Sequence, residues 1–554
     1  DLEIIVVEGG SNDGETPAIV ASLADEGVRV LARTERHRAG SNRNFGIEQA
    51  RGKYICCLDA DDKIDPTYIE KAVYLMETRG YDVVSTSVEQ FENVSDGYNV
   101  ADVVDLDVLL KGNQVATCGL FKRDLWRMAG GYKDHGDGSS KTHIHEDWEF
   151  WIRLAALGAR FYNIRRERLF KYRVHGTGSL SQRPEVRSMD EQIKFIIKEN
   201  SDVLNSGAIE NSVTRRLTPH NPVNPLVNLL RSPLQTSSRQ LLIALPWMVL
   251  GGAERLLSSL VAGLVTQGWE VTIITTLPPD PSGGDTSGWF AEHTPHIFDL
   301  PKYMPEDQWA GFVDYLIESR GVEALLMACS TFVYEQLPRL KRKYPELRIY
   351  DLLFNTVGHT PNNRRYSGYI NKTLCENSEV RDWLRQKGEE EGRIGMIPSA
   401  VKIVDLPSAE ERAMLRRALD IEPGKLIVGF CGRWSPEKNP IGFVDIAGQL
   451  ASNANIHFVM TGAGIQADSI SSRLRDMAEL ENRFHLLGNV QELGPILAGV
   501  DLLILPSKLD GRPVVVMEAM AIGVPVIASR VGGLPGLIIP GNNGDLCAPG
   551  DTSA

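Results

Sequence analysis

Apolar residues along this chain fall into two patterns, short runs of strand length and longer segments in which they recur at helical spacing. Over residues 1–200, strand-like runs at 3–7, 28–32, 54–58 and 82–87 alternate with helical patterns at 15–25, 42–50 and 66–78. Such alternation predicts βαβ units in a mostly parallel sheet. The run at 54–58 is apolar throughout and reads as a strand buried on both faces. It stops at three carboxylates, Asp59, Asp61 and Asp62. Ligands of open α/β sheets bind at the carboxyl ends of the strands, and oxygen ligands grouped there suit Mg²⁺ or Mn²⁺ with a phosphate substrate. A polar turn with an Asp N-cap before the next helix fits the same residues, and the stretch alone does not decide between the two.

Two further segments of this region carry candidate chemistry. After the first strand, Glu8 to Gly14 reads E-G-G-S-N-D-G, whose glycines let a backbone approach a ligand closely. His145, Glu146 and Asp147 precede a helix in which Trp148, Trp151, Ile152 and Ala155 fall on one face. Asp147 is thereby placed in the first helical turn, where the helix dipole keeps a carboxylate ionised and able to accept a proton; a plain N-terminal cap is the alternative. His175 stands near the end of a strand-like run, as a lone imidazole that is as readily structural as a ligand.

From 201 to 239 the periodicity weakens and Pro, Asn and Ser repeat, which predicts an interdomain linker with a short helix at 226–230. Strand-like runs resume at 240–245, 270–275, 324–328, 349–354 and 393–397, predicting a doubly wound unit over 240–400. A second such unit follows from 401, with runs at 425–431, 456–461, 502–505 and 524–528. Two successive Rossmann-like units place a ligand in the cleft between them. Gly251 and Gly252 open a helix in the first, an arrangement suited to an anion. In the second, Arg433 and Lys438 follow the first strand, where two cations beside a helix N-terminus could hold a diphosphate without metal. Asp510 lies in a loop, and Glu518 on the helix that starts near Pro513. Each acid, taken alone, also fits a surface ion pair or a cap.

Composition narrows the partners. A chain of 554 residues exceeds one core, and at about 150 residues per domain it suggests three or four compact units. With 42% hydrophobic and 24% charged residues it reads as an ordinary globular chain. A net charge of -13 argues against nucleic acid, whereas a small phosphate site needs only a few local cations or N–H groups. No apolar stretch approaches about 18 residues and no signal peptide is recognisable, so the expected location is cytoplasmic, with peripheral contact at the inner face of a membrane. Seven cysteines without C-x-x-C spacing read as small buried hydrophobes in a reducing compartment. The chain starts directly in a strand and stops just after another, so both ends are expected to be truncated.

In order, V-V-E-G-G-S-N-D-G, A-G-S-N-R-N-F-G-I, G-K-Y-I-C-C-L-D-A-D-D, G-G-Y, H-E-D-W-E-F-W-I-R-L and Y-R-V-H-G resemble the family 2 glycosyltransferases of the GT-A fold, over residues 1–200. The resemblance implies that Asp59 and Asp61 form a D-x-D pair, Asp59 near the nucleotide-sugar and Asp61 on a divalent cation, Mn²⁺ or Mg²⁺. It implies Asp147 as the catalytic base with Glu146 as the alternative, Glu8 at the donor, and His175, with Asp59 and Asp61, in the metal shell. Gly9 stands where that family commonly has a second acid. The segments G-G-A-E-R, G-R-W-S-P-E-K-N, V-M-T-G-A-G, H-L-L-G-N-V and D-G-R-P-V-V-V-M-E-A-M-A-I-G-V-P-V-I-A-S resemble the family 4 glycosyltransferases of the GT-B fold, also called glycosyl transferases group 1. That implies a retaining site without a metal cofactor over residues 240–554. Gly251, Gly252, Arg433 and Lys438 would face the donor phosphates, Glu518 the ribose, and Asp510, in place of a usual Glu, the donor sugar. His359 is placed near the reacting sugar by position only.

The expectation is therefore an α/β chain, a GT-A mixed sheet followed by a GT-B pair of doubly wound domains. It would transfer sugars from UDP-, GDP- or dTDP-sugar donors to a glycan or lipid-linked acceptor. The rival expectation is a glycan-binding or scaffolding protein with one or both sites inactive.

Overall fold

Strand pairing separates an N-terminal region of small mixed sheets from a C-terminal region of two large parallel ones. The structure, a computed structural model, describes residues 2–92, 96–135, 144–175, 188–205, 239–278, 283–401, 405–490 and 492–552. Two compact units result: the first holds the described residues up to 205 together with Lys302–Tyr315, and the second holds the remainder from 239. The segment 302–315, which the sequence assigns to the domain 240–400, is thus part of the first unit, where Tyr303 donates its hydroxyl to the Lys71 carbonyl (2.8 Å). The helix Ser201–Asn205 occupies the start of the predicted linker; the rest of that linker, with its expected helix at 226–230, lies outside the described residues.

The first unit contains β1 (Ile5–Glu8), β2 (Arg29–Ala32), β3 (Tyr54–Ile55), β4 (Lys63–Ile64), β5 (Val83–Thr86), β6 (Val88–Glu92), β7 (Gly97–Tyr98), β8 (Leu120–Lys122), β9 (Phe161–Ile164) and β10 (Phe170–Val174). They form a β1-β2 pair, a sheet β3-β8-β5-β9 and a sheet β4-β10-β6-β7. Pairing is mixed rather than mostly parallel: β3, β5 and β4, β7 meet their partners β8, β10 and β6 antiparallel. A parallel neighbour needs a crossover of about a dozen residues, and returns as short as that from β6 to β7 can only run antiparallel.

The acidic stretch sits where a strand gives out. Only Tyr54–Ile55 of the predicted run 54–58 is strand, because β3 lies at the sheet edge and its one partner, β8, is three residues long. Ile55 and Cys57 point inward, but Leu58 is 42% exposed, so the run is not buried on both faces. The chain then turns, Asp62 N–H to Asp59 carbonyl (3.1 Å), and presents the carboxylates at the sheet edge.

Beneath them lies the helix Glu146–Ala156, buried from Asp147 to Ala156 on all sides rather than on one face. Trp148, Phe150, Trp151 and Ile152 join Phe121 and Tyr132 in the core. Its two charged core residues satisfy each other: Arg153 Nη2 lies 2.7 Å from Glu149 Oε2, and the same nitrogen donates to the Gly131 carbonyl (2.7 Å).

In the second unit, β11 (Arg239–Leu245), β12 (Trp269–Thr275), β13 (Ile297–Asp299), β14 (Ala324–Met327), β15 (Arg348–Leu353), β16 (Lys372–Cys375) and β17 (Ile394–Met396) form one parallel sheet, ordered β13-β12-β11-β14-β15-β16-β17. A second parallel sheet, β20-β19-β18-β21-β22-β23, is built from β18 (Leu426–Cys431), β19 (Ile456–Thr461), β20 (Phe484–Gly488), β21 (Leu502–Leu505), β22 (Val526–Ser529) and β23 (Gly544–Cys547). These are the two doubly wound lobes expected from the sequence, which missed only the short or polar strands β13, β16, β20 and β23. All seven cysteines are free, and no described helix is long and apolar enough to cross a membrane.

Candidate active sites

The first site is assembled where the turn 59–62 meets the end of β10. Asp62, 8% exposed, accepts the backbone N–H of Arg173 (2.9 Å), and Arg173 Nε donates to the Asp61 carbonyl (2.8 Å). This clamp delivers His175, one residue past β10, to Asp61, with Nε2 and Oδ2 2.8 Å apart. Burial, reinforced by the neighbouring Asp61 and Asp59 carboxylates, pushes the Asp62 carboxyl up to about 6.

Asp59 turns away from that pair. Its Oδ1 accepts from Arg43 Nη2 (2.8 Å), and Arg43 Nη1 reaches Glu146 Oε1 (2.6 Å). Burial disfavours the Arg43 charge, but Asp59 and Glu146 more than offset it. Arg43, in the helix Ala39–Gln49, is the functional residue that sequence reasoning passed over; its signal was a cation inside A-G-S-N-R-N-F-G-I.

Arg43, Asp59, Glu146 and Asp147 share a cavity of about 370 Å³. Of the two base candidates, Glu146 is neutralised by Arg43. Asp147 instead accepts neutral donors, Thr117 Oγ1 (3.2 Å) and Asn113 Nδ2 (3.3 Å) on Oδ2 and its neighbour's N–H, from Trp148 (2.8 Å), on Oδ1. Asp147 is therefore oriented by uncharged donors alone.

Two expectations change here. Glu8 does not line the cavity, because its carboxylate closes on its own loop, accepting the N–H groups of Ser11 (2.7 Å) and Gly10 (3.2 Å). An acid in place of Gly9 would require the Asn42 side chain to move, since a Cβ there would lie 2.3 Å from Asn42 Nδ2. The expected metal set is split as well: Asp61 and His175 converge, while Arg43 occupies Asp59. No group of three or more His, Cys, Asp or Glu side chains poised for a metal occurs among the described residues. A carboxylate oxygen and an imidazole nitrogen still suit Mg²⁺ or Mn²⁺, which takes its remaining ligands from substrate phosphates and water.

The second site lies between the two lobes of the second unit. Asp510, 6% exposed, is held by Lys438 Nζ on Oδ1 (2.6 Å) and by the Ser507 hydroxyl on Oδ2 (3.0 Å). The sequence reading put Lys438 on a phosphate and Asp510 on a sugar; the structure pairs them, because a buried carboxylate requires a counter-charge. Arg433 is exposed and faces Glu437 (3.3 Å). Glu518 lies on the helix Val514–Ala521, its carboxyl raised by burial and lowered in turn by Arg255. Gly251 caps the helix Gly252–Thr266, and a Cβ on Gly252 would make ordinary contact with Val514, 3.6 Å from its Cγ2. Glu254 on that helix is pushed by burial up to about 7.

His359 caps the helix Thr360–Arg365 without a side-chain cap bond, and burial lowers its imidazole. The residue that does meet the Asp510 loop is Glu376, just after β16. It is 4% exposed, accepts the Arg512 N–H and the Ser399 hydroxyl, and is pushed by burial up to about 7. A Cβ on Gly511 would lie 2.7 Å from the Phe354 carbonyl and 3.0 Å from Glu376 Oε2, so the lobes meet there backbone to backbone.

Comparison with known proteins finds a family match within each unit. Residues 1–132 match the model of glycosyl transferase family 2, and residues 425–554 match that of glycosyl transferases group 1. Among curated proteins, the chain is 28% identical over 145 residues to the UDP-Gal:alpha-D-GlcNAc-diphosphoundecaprenol alpha-1,3-galactosyltransferase of Escherichia coli, covering 26% of this chain and 38% of that one. It is 33% identical over 88 residues to the succinoglycan biosynthesis protein ExoO of Rhizobium meliloti, 16% of this chain and 25% of that protein. The chain thus spans well under half the length of these relatives. Among solved structures, a glycosyltransferase from Rickettsia africae aligns at a TM-score of 0.49 and 17% identity, over 58% of this chain and 86% of that one.

Proposed function

We propose that the chain is a two-site glycosyltransferase that moves sugars from nucleotide-sugar donors to a glycan or lipid-linked acceptor, in the synthesis of a cell-surface polysaccharide at the cytoplasmic face of the membrane. The N-terminal site is inverting and metal-dependent, and the C-terminal site retaining and metal-independent. The observation that carries the reading is the single cavity that gathers Asp59, Glu146 and Asp147, residues nearly ninety positions apart, with Asp147 oriented by neutral donors. The names of the curated relatives favour polysaccharide and lipid-linked acceptors and a UDP-sugar donor.

At the N-terminal site, Asp147 takes the proton of an acceptor hydroxyl as its oxygen bonds to the anomeric carbon, and the bond to the diphosphate oxygen breaks. Asp61 and His175 would hold the divalent cation, which when bound supplies positive charge for the departing diphosphate. Arg43 keeps Glu146 and Asp59 from repelling the incoming phosphates. At the C-terminal site Lys438 and Arg433 supply counter-charge without metal, and Glu518 accepts from ribose hydroxyls.

A thermal-shift screen of UDP, GDP and dTDP, with and without Mn²⁺, tests this, since a ligand that binds only the folded protein raises its melting point. One Mn²⁺-dependent and one Mn²⁺-independent stabilisation are expected. Stabilisation by none of the nucleotides under either condition would refute the two-site reading.

A further inference from the structure

The cavity that holds Asp147 has a second wall, which the chemistry above does not use. Gln90, Tyr98, Phe170 and Tyr172 also line it. All four come from the sheet β4-β10-β6-β7. Side chains two apart on a strand share a face, so Phe170 and Tyr172 of β10 lie together. Parallel pairing sets Phe170 beside Val88 and Tyr172 beside Gln90, and the antiparallel pairing of β7 sets Tyr98 on the other side of Val88. The result is one sheet face with aromatic rings from two strands and an amide between them. The Phe170 and Tyr172 ring centroids are 6.3 Å apart; Phe170 is buried, but Tyr98 is 53% exposed, so the face is open at its Tyr98 end.

Charge narrows what can lie on it. The cavity carries three carboxylates, Asp59, Glu146 and Asp147, and its one Arg is bound to two of them. A phosphate acceptor would find no uncommitted Lys or Arg among the lining residues. A sugar ring fits both walls: its C–H face is apolar, as an aromatic ring requires, and its hydroxyls match an amide and a carboxylate. The volume, about 370 Å³, is near the lower end of the range for small-molecule sites, about 300–1,000 Å³.

We propose that this sheet face is the acceptor subsite of the N-terminal unit, and that it takes a neutral pyranose, the ring against Tyr98 and Tyr172 and hydroxyls toward Gln90 and Asp147. The inference rests on the transferase reading of that unit and specifies its acceptor. The attacking group is a sugar hydroxyl, not a lipid phosphate.

The test is saturation-transfer NMR on the full chain with a panel of methyl glycosides of glucose, galactose, mannose, rhamnose and N-acetylglucosamine, and with polyprenyl phosphate in neutral phosphatidylcholine vesicles as the opposing probe. At least one glycoside is expected to bind, Tyr98→Ala to weaken it about tenfold, and Tyr98→Phe to retain it. Gln90→Ala, which removes no ring, is expected to weaken the same glycoside and serves as the second variant. Binding unchanged in Tyr98→Ala, Tyr172→Ala and Gln90→Ala would overturn the proposal, as would binding of polyprenyl phosphate alone. If no glycoside binds while the Mn²⁺-dependent nucleotide stabilisation persists, the acceptor inference fails and the transferase reading stands. Loss of that stabilisation as well refutes both.

Discussion

The helix that carries Asp147 is pinned by a buried ion pair, and replacing Arg153 by Met tests how much of the site depends on it. Glu149 is wholly buried and Arg153 nearly so. Burial alone would raise the Glu149 carboxyl, but the His135 imidazole 3.8 Å away and hydrogen bonds from Arg153 and Asn200 lower it from 4.5 to about 2. That gap corresponds to about 3 kcal/mol of stability. Because the folded value is depressed, the contribution is complete above pH 4.5 and is lost as pH falls toward 2. Arg153→Met removes the partner and strands a buried charge, a change that typically costs about 3–5 kcal/mol. Adding Glu149→Gln should recover much of that loss, since a neutral amide no longer needs the cation. Because the chain has two units, the readout is local: hydrogen exchange of the helix Glu146–Ala156 by mass spectrometry, at pH 7 and pH 3. Arg153→Met should exchange that helix far faster at pH 7 and differ less from the parent at pH 3. Equal exchange in the single and double variants at pH 7 would refute the argument that Glu149 depends on Arg153.

The remaining expectations concern the sites. Asp61→Ala should lower Mn²⁺-dependent donor turnover about 100-fold and leave the metal-independent activity intact, while Glu518→Ala should do the reverse; equal loss of both activities from either change would sink the independence of the two sites. Thr117→Val removes a hydroxyl that orients Asp147 and should reduce kcat about tenfold with donor KM unchanged, as measured by single-site kinetics in Mn²⁺. Asp510→Asn releases Lys438 from its ion pair and should tighten nucleoside diphosphate binding at the metal-independent site by about threefold in calorimetry; weaker binding would show that the pair positions Lys438 for the phosphate.

What the sequence disclosed was set by how local the physics is. Strands β11, β12, β18, β19 and β21 are legible because each carries a mostly apolar stretch, largely buried in a parallel sheet. The helical setting of Asp147 is legible for the same kind of reason, since first-turn position follows from spacing alone. Strand β3 misled because an apolar run at a sheet edge is strand only as far as its partner reaches. The partners of the site residues were hidden more deeply. Arg43 lies 16 residues from Asp59 and 103 from Glu146, and Lys438 lies 72 from Asp510. A motif names the residue type but carries no information about which opposite charge folding sets beside it. Glu376 shows the same limit from the other side: after a strand whose Lys372 and Thr373 interrupt the apolar pattern, it looks like a surface acid, yet it accepts the Arg512 N–H at the seam between the lobes. The acids at both sites are mostly already engaged. Asp59, Glu146 and Asp510 each hold a cation of the protein itself, and Glu8 holds its own loop. Among the acids that line the cavity, Asp147 differs in being held only by uncharged donors, and that difference, which no spacing or composition expresses, supports its proposed role as the base.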